Sequence, residues 1–344
     1  MGSYRLAKAY ALAAAIVFSA GTIFNAGAAN AAEKVYTLKL SHFVPPVHAF
    51  HKWVVGWTKK IEEESHGRLK FEIYPNGQLV GPPNRQFDAA RNGITDIAFC
   101  LHGVTPGRYP MTELANLPFT WPSDGVNLPE MAKRMTELAP KYLAAEHKGL
   151  HILFMVMANP VVVYSRVPIH SVADFKGKKI RYASITNKEL LDAMGAVPML
   201  IPPSDTQDAL AKGIADGATF PHEAGFAYKL ASVAPYAIEP PMASATFALV
   251  MNPAKYNSLP PDLRAILDKE AGVKGAMDFA AHWQAFEKFA RNFEITKSGL
   301  KIITLPPAEV AKMKALAKPI IERSVEKLEK EGKPAREFLA AYTK

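Results

Sequence analysis

A short stretch of the sequence occurs twice, and this repeat constrains the fold more than any other feature of the chain. Residues Asn92–Phe99 (NGITDIAF) are similar to residues Lys212–Phe220 (KGIADGATF). Each copy follows an amphipathic stretch, Gln86–Arg91 in the first and Thr206–Lys212 in the second. The pattern predicts a helix, a glycine that ends it and a short strand that ends in phenylalanine. Coincidence in a common Gly-Asp turn is the alternative, but the repeat favours two similar α/β lobes that face each other across a cleft.

The beginning of the chain has the features of a secretory signal peptide. Arg5 and Lys8 form a basic region, Ala11–Ala20 is apolar, and Ala29–Ala31 supplies small residues for cleavage. This apolar run is shorter than the roughly 20 residues that a membrane span needs. We therefore expect residues 1–31 to be removed on export to a bacterial periplasm.

Composition argues against several classes of protein. Without Arg5 and Lys8 the formal net charge falls from +9 to +7, because residues 1–31 contain no acidic side chain. The basic residues form no concentrated stripe of the kind that nucleic-acid binding requires. Cys100 is the single cysteine, which rules out an internal disulfide and a Cys-based metal cluster. We expect a monomer without cofactor or nucleic-acid partner, and the length suggests two domains.

Strand and helix patterns alternate along the chain. Val35–Ser41 is a predicted strand, the strand–helix pattern restarts at Val161, and a strand at Thr246–Met251 returns the chain to the first lobe. A long helical stretch is predicted over residues 262–293 and a final helix over residues 307–331. This alternation indicates mainly parallel sheets flanked by helices.

Two passages between the lobes should make a hinge. We expect lobe I to comprise residues 32–158 and 247–286, and lobe II to comprise residues 159–246 and 287–344.

Ligands bind at the carboxyl ends of the strands in such sheets. The residues predicted at or near those ends form most of the candidate site: His42, Phe43, Phe99, His102, Arg181, Tyr182, Phe220, His222 and Glu223. Phe247 joins them as a further apolar wall.

Several motifs resemble the solute-binding proteins of TRAP transporters, the DctP family. The similar segments are Gly67–Leu79 (GRLKFEIYPNGQL), Asp174–Arg181 (DFKGKKIR), the Asp216-Gly217 turn and Leu259–Leu263 (LPPDL). They are collinear and span nearly the whole chain after the signal peptide. The resemblance implies a two-lobed periplasmic binding protein fold with a hinge and a long helix that bridges both lobes. It also implies closure over an organic acid and delivery to a membrane-embedded permease.

In that family the arginine that closes the Asp174–Arg181 segment grips the ligand carboxylate, so the resemblance assigns this role to Arg181. A charged side chain between Ile180 and Tyr182 is costly in a short strand unless it meets an anion. The planar guanidinium matches a carboxylate with two hydrogen bonds. A surface arginine paired with an acidic residue is the alternative.

The chain departs from the family's pattern at three positions. Val161 stands where some members carry a second arginine, and Phe43 and Phe220 stand where some carry asparagine. All three differences remove polarity from the expected pocket, so the extra polar groups of a dicarboxylate or a sialic acid would lie unpaired. We expect an aromatic or similarly apolar monocarboxylate, with Phe43, Phe99, Phe220 and Phe247 as its walls or as core behind it.

The histidines leave one rival function open. No His-Glu-x-x-His spacing or equivalent set of ligands is present, so no metal site is predicted. A periplasmic hydrolase or lyase could use His42, His102, His222 and Glu223 around a substrate anchored by its carboxylate. No Gly-x-Ser-x-Gly elbow supplies a nucleophile for it, so a receptor without chemistry is the leading interpretation. A binding protein that serves a different type of transporter, or a sensor, is a third alternative that the residues leave open.

Overall fold

Two mixed β-sheets with helices packed on them make up the fold. The computed structural model describes residues 33–121 and 126–344, so the predicted signal peptide at residues 1–31 lies outside the described residues. The strands are β1 Tyr36–Ser41, β2 Leu69–Tyr74, β3 Ile97–Leu101, β4 His151–Met157, β5 Val161–Ser165, β6 Lys179–Arg181, β7 Val197–Met199, β8 Gly217–Phe220, β9 Tyr236–Ala243, β10 Thr246–Met251 and β11 Lys301–Thr304.

The helices vary in length from 6 to 26 residues. They are α1 Ala49–Glu64, α2 Gln86–Arg91, α3 Leu128–Tyr142, α4 Ile185–Ala193, α5 Thr206–Ala211, α6 His222–Ala227, α7 Pro253–Ser258, α8 Pro261–Glu270, α9 Gly272–Lys297, α10 Pro307–Lys330 and α11 Ala335–Tyr342. In the part of the chain that the structure describes, no helix combines the length and apolar character needed to cross a membrane.

The first sheet has the strand order β2-β1-β3-β10-β4, and the second has the order β11-β9-β5-β8-β6-β7. Parallel pairs lie toward one edge of the first sheet and toward both edges of the second, whereas β10 and β5 are antiparallel to both neighbours. Strand β10 enters the first sheet from the second, as the sequence predicts. The α/β class with two sheets is confirmed.

The repeated sequence has the same structure in both copies. Each aspartate of the repeat accepts a hydrogen bond from the main chain of a neighbouring parallel strand. The Lys39 amide donates to Asp96 Oδ2 at 2.8 Å, and the Lys179 amide donates to Asp216 Oδ2 at 2.9 Å. Each turn thus clamps one parallel strand beside the strand that follows the turn, so the two sheets contain the same local unit.

Glycine is required at the end of each repeated helix. Gly93 has φ of 72° and Gly213 has φ of 70°, a left-handed conformation that is strained for other residues. The next amides, those of Ile94 and Ile214, donate to carbonyl groups in the preceding helical turn, each at 2.9 Å. The predicted boundaries of α2 and α5 are correct to within one residue because these local signals determine them.

Two adjacent connections link the sheets. Residues 158–160 join β4 to β5, and residues 244–245 join β9 to β10. The Ala158 amide donates to the Ala245 carbonyl at 2.8 Å, and Ser244 Oγ donates to the Ala158 carbonyl at 2.9 Å. The two crossings therefore lie side by side, where a hinge is expected.

Helix α9 bridges elements of both sheets, since it contacts α1, α3 and β4 on one side and α6 on the other. The predicted helical stretch over residues 262–293 is two helices instead. The chain breaks at Ala271 between α8 and α9, with φ of −95° and ψ of −144°, and α9 continues to Lys297. No proline at this position in the sequence predicts the helix break at Ala271.

The assignment of residues 287–344 to lobe II stays a prediction, and the segment makes contacts on both sides. Strand β11 pairs with β9 of the second sheet. Helix α11, which the sequence pattern does not predict, packs on α3, where Tyr142 Oη donates to Glu337 at 2.7 Å.

Candidate functional site

A small cavity of about 40 Å³ lies where residues of the two sheets and their crossings meet. Mostly apolar walls with a few polar groups are typical of small-molecule sites. Its walls are formed by Phe43, Val44, His48, Leu101, Ala158, Val161, Arg181, Ala183, Pro203, Thr219, Phe220, Pro221, Glu223, Ala224, Tyr228, Ala245, Phe247 and Trp283.

Arg181 is the one permanently cationic side chain among these lining residues. It ends strand β6 and is only 2% exposed. Its Nε donates to the Ile201 carbonyl at 3.1 Å, and one terminal nitrogen donates to the Thr219 carbonyl at 2.8 Å. Burial lowers the pKa of Arg181 to about 10, so the guanidinium remains charged at neutral pH.

The guanidinium has no acidic partner in the described ranges. Its central carbon lies 4.2 Å from the centroid of the Phe220 ring, a cation–π distance. Carbonyl bonds and one aromatic face orient the group without neutralising it. An uncompensated buried charge is costly, and an anion is the partner that it lacks.

Aromatic side chains form much of the remaining wall. Phe43, Phe220, Phe247 and Trp283 all line the cavity. Phe99 does not, because it lies one layer deeper, stacked against Phe247 with centroids 5.0 Å apart. Three of the four predicted phenylalanines thus line the cavity and Phe99 lies in the core behind it, while their contact with a ligand stays a prediction.

Glu223 also reaches the cavity and is fully buried at the start of α6. Its Oε1 accepts a hydrogen bond from Trp283 Nε1, and His48 Nε2 lies 3.2 Å from the same oxygen. Its Oε2 has no hydrogen-bond partner within the described residues. Burial, reinforced by the nearby Glu287 carboxylate, raises the pKa of Glu223 to about 8.

Tyr228 contributes a second polar atom without a partner. Its Oη is buried in the cavity wall and makes no hydrogen bond to any described residue. Burial and the proximity of Glu223 raise the pKa of Tyr228 far above its usual value, against the effect of Arg181. The phenol therefore stays protonated and can donate.

His222 lies behind the cavity in a network with helix α9. Its Nδ1 is 3.2 Å from Glu294 Oε2, and its Nε2 is 3.3 Å from Glu239 Oε1. Burial alone would lower the pKa of His222, but these two carboxylates and Glu287 outweigh it and raise the pKa to about 9. The imidazolium links the side chains of Glu239 and Glu294, so its role is structural.

The other two histidines of the candidate site contact histidines outside the cavity. His42 Nε2 lies 3.0 Å from His51 Nδ1, and His102 Nε2 lies 2.9 Å from His147 Nε2. Neither lines the cavity, and Tyr182, although buried, does not line it either. The structure thus brings Arg181, Phe43, Phe220, Glu223 and Phe247 together, and it leaves out His42, Phe99, His102, Tyr182 and His222.

Sequence reasoning missed four polar or aromatic lining residues, His48, Thr219, Tyr228 and Trp283. His48 caps helix α1, where its Nδ1 accepts from the Phe50 amide at 3.1 Å. Trp283 lies within α9, 60 residues from its partner Glu223. The capping pattern could have marked His48, but only the packing of α9 shows where Trp283 points. No three His, Cys, Asp or Glu side chains converge as a metal site within residues 33–121 and 126–344.

Two sheets joined by adjacent crossings over a cavity with one buried cation define a solute-binding protein. The sequence profile of the bacterial extracellular solute-binding proteins, family 7 (DctP), matches residues 40–328, and the chain belongs to this family.

Solved structures show the same fold. A TRAP solute-binding protein from Rhodoferax ferrireducens T118, in complex with copurified benzoate, is 30% identical, with a TM-score of 0.85 over 90% of this chain and 97% of that chain. A marine metagenome TRAP solute-binding protein specific for aromatic acid ligands, in complex with 3-hydroxybenzoate, is 28% identical, with a TM-score of 0.84 over 90% and 97% of the two chains.

A curated relative has a different ligand class. The C4-dicarboxylate-binding periplasmic protein DctP of Rhodobacter capsulatus is 27% identical over 67% of this chain and 69% of its own length. The family and these structures are receptors of TRAP transporters and not enzymes, so the comparisons support the receptor and not the hydrolase or lyase.

Proposed function

We propose that this chain binds an aromatic monocarboxylate in the cavity and delivers it, as a monomer in the periplasm, to the membrane permease of a TRAP transporter. The observation that carries the ligand class is the buried guanidinium of Arg181, which has no acidic partner in residues 33–121 and 126–344 and is oriented by carbonyl groups and Phe220. A carboxylate would accept two parallel hydrogen bonds from this group. Tyr228 Oη can donate a third.

The cavity favours one carboxylate over two. Val161 lines it at the position where some relatives carry a second arginine, and it is fully buried. Burial, with smaller effects of His42 and His51, lowers the pKa of His48 to about 3, so that ring is neutral. A second carboxylate would lose its hydration without gaining a cation.

Aromatic walls favour a flat apolar body for the ligand. Phe220 lies under the guanidinium, and Phe247 and Trp283 pack edge to face with centroids 5.3 Å apart. Aromatic pairs add about 1 kcal/mol beyond the burial of their area. The two structural neighbours that hold benzoate and 3-hydroxybenzoate are consistent with this class of ligand.

The signal peptide at residues 1–31 remains a prediction that agrees with an extracellular family. Cleavage after Ala31, or one residue later, should be visible in the intact mass of protein from a periplasmic extract.

Arg181→Ala tests the clamp. We expect affinity for benzoate to fall by about two orders of magnitude, or about 3 kcal/mol, because the ligand carboxylate loses its buried partner. Arg181→Lys should also weaken binding, since an ammonium group cannot reproduce the planar fork. Isothermal titration calorimetry measures both.

The exposed Arg85, outside the cavity, provides the matched control. Arg85→Ala should bind as the wild type does. Binding of benzoate by Arg181→Ala within a factor of two of the wild type would show that the clamp lies elsewhere.

A further inference from the structure

We propose that Glu223 forms a second polar subsite in the cavity and receives a hydroxyl group carried by the aromatic acid. This inference rests on the proposed function, because it takes Arg181 as the partner of the ligand carboxylate. It narrows the ligand class from aromatic monocarboxylates to hydroxylated ones.

The two oxygens of Glu223 differ in their surroundings. Oε1 accepts from Trp283 Nε1, and His48 Nε2 lies 3.2 Å from it. His48 Nδ1 accepts from the Phe50 amide, which fixes the proton of the neutral ring on Nε2 and makes that nitrogen a donor. Trp283 Nε1 and the His48 ring thus both lie beside Oε1. Oε2 is equally buried, belongs to a cavity-lining residue and has no partner in the described chain.

The same arrangement determines where a proton resides. Because Trp283 Nε1 donates to Oε1, Oε2 is the better position for the proton of a neutral Glu223. The pKa of about 8, raised by burial and by Glu287, keeps the carboxyl neutral at pH 7. Oε2 then offers one O–H donor and one acceptor position to the cavity. A hydroxyl group can satisfy both, whereas a hydrocarbon can satisfy neither.

Arg181 and Glu223 do not neutralise each other. Both line the cavity, yet no ion pair joins them within 4.0 Å. Tyr228 lies near both groups, since each of them affects its pKa. A ligand that places a carboxylate on Arg181 therefore has its ring and its substituents available to a separate contact at Glu223.

The alternative site for a hydroxyl is Tyr228 Oη, which also lacks a partner in the described residues. A phenol is a good donor to a carboxylate, and its protonated state near Arg181 suits that role. We therefore assign Tyr228 to the carboxylate end and Glu223 to the hydroxyl end.

Matched ligand pairs test this assignment by calorimetry on the full mature chain. The pairs are 3-hydroxybenzoate with 3-methylbenzoate, 4-hydroxybenzoate with 4-methylbenzoate, and mandelate with 2-phenylpropanoate. Each pair has similar size and the same charge. We expect the wild type to prefer the hydroxylated member of at least one pair by tenfold or more, because the methyl group leaves Oε2 unpaired.

Variants then locate the preference. Glu223→Leu should reduce it to within twofold while the methylated acids still bind. Glu223→Gln should retain it, since the amide oxygen can accept from Trp283 and His48 while the NH₂ group replaces the O–H donor. Tyr228→Phe should weaken both members of a pair equally. The glutamine and phenylalanine variants keep the test decisive if the leucine variant does not fold.

Equal binding of hydroxylated and methylated acids by the wild type would overturn the Glu223 subsite and leave the proposed function intact. Loss of the preference in Tyr228→Phe, with retention in Glu223→Leu, would also overturn it. Failure of every aromatic acid to bind the wild type would instead refute the proposed function, and the subsite with it.

Discussion

The two copies of the repeated unit have the same backbone structure, but they carry different side chains at their matched strand ends. Lys39 and Lys179 occupy matched positions, because each donates its amide to the aspartate of its own repeat. Two residues further along each strand, the first sheet carries Ser41 and the second carries Arg181. The repeat thus supplies two equivalent strand ends, of which only one bears a charge.

The residues after the second strand of each unit also differ. Counting from the repeat aspartates, His102 matches His222, and Gly103 matches Glu223. Burial and the neighbouring His147 lower the pKa of His102 well below its usual value. Glu239 and Glu294 raise that of His222 despite its burial. The shared backbone determines the positions of these side chains. Residues distant in the sequence determine their pKa values and therefore their charge.

The largest effect on stability should follow from removing the charged histidine, His222. His222→Gln should cost about 3 kcal/mol of unfolding free energy at pH 6, because Glu239 and Glu294 lose their shared cation. The pKa of His222 is raised when the chain folds, from 6.5 to about 9. Its contribution is therefore fully present below pH 6.5 and is lost as the pH rises through 9. Urea unfolding at several pH values measures the difference between variant and wild type.

His102→Gln is the matched control with the opposite sign. The pKa of His102 is lowered on folding, so its contribution is present above pH 6.5 and decreases as the pH falls below that value. A difference between His222→Gln and the wild type that stays constant from pH 6 to 10 would show that His222 folds uncharged.

A smaller effect should follow from filling the space at Gly103. A Cβ atom there would lie 2.1 Å from the Ala183 carbonyl oxygen and 3.0 Å from Ser184 Cα, a backbone contact between the two sides of the cleft. We expect Gly103→Ala to weaken ligand binding by about 2 kcal/mol, because the sides must separate to relieve the clash. Calorimetry measures the affinity. Small-angle scattering with ligand present should show a larger radius of gyration for Gly103→Ala than for the wild type.

Gly56→Ala is the control for that substitution, since an added Cβ in helix α1 meets nothing within 4 Å. It should bind normally and gain slightly in stability from helix propensity. Normal affinity of Gly103→Ala would mean that this approach of the two sides is not part of the bound state.

Local signals in the sequence are sufficient to predict the ends of several helices and strands. Helices α2 and α5 end where Gly93 and Gly213 allow a left-handed turn, and strands β2 and β8 end directly before Pro75 and Pro221. The contacts of the histidines depend on partners far along the chain, as in His102 with His147, 45 residues away. No periodic pattern contains that information. Phe99 illustrates the same limit, because a strand-end phenylalanine can face the cavity or lie one layer behind it.

The family resemblance predicts that Arg181 binds the ligand carboxylate, and the structure shows the surroundings of that side chain. Its carbonyl partners and its contact with Phe220 come from β8 and from the segment after β7, which the sequence around Arg181 does not reveal. Its role as the ligand clamp remains a prediction.

The central claim is that one buried guanidinium in aromatic walls makes a receptor for monocarboxylates. Calorimetric titration of the wild type with benzoate and with succinate, under the same conditions, tests it most directly. We expect one benzoate per chain, bound at least about a hundredfold more tightly than succinate, because the second carboxylate of succinate would be buried without a cation. Succinate binding as tight as benzoate binding, or tighter, would contradict the claim.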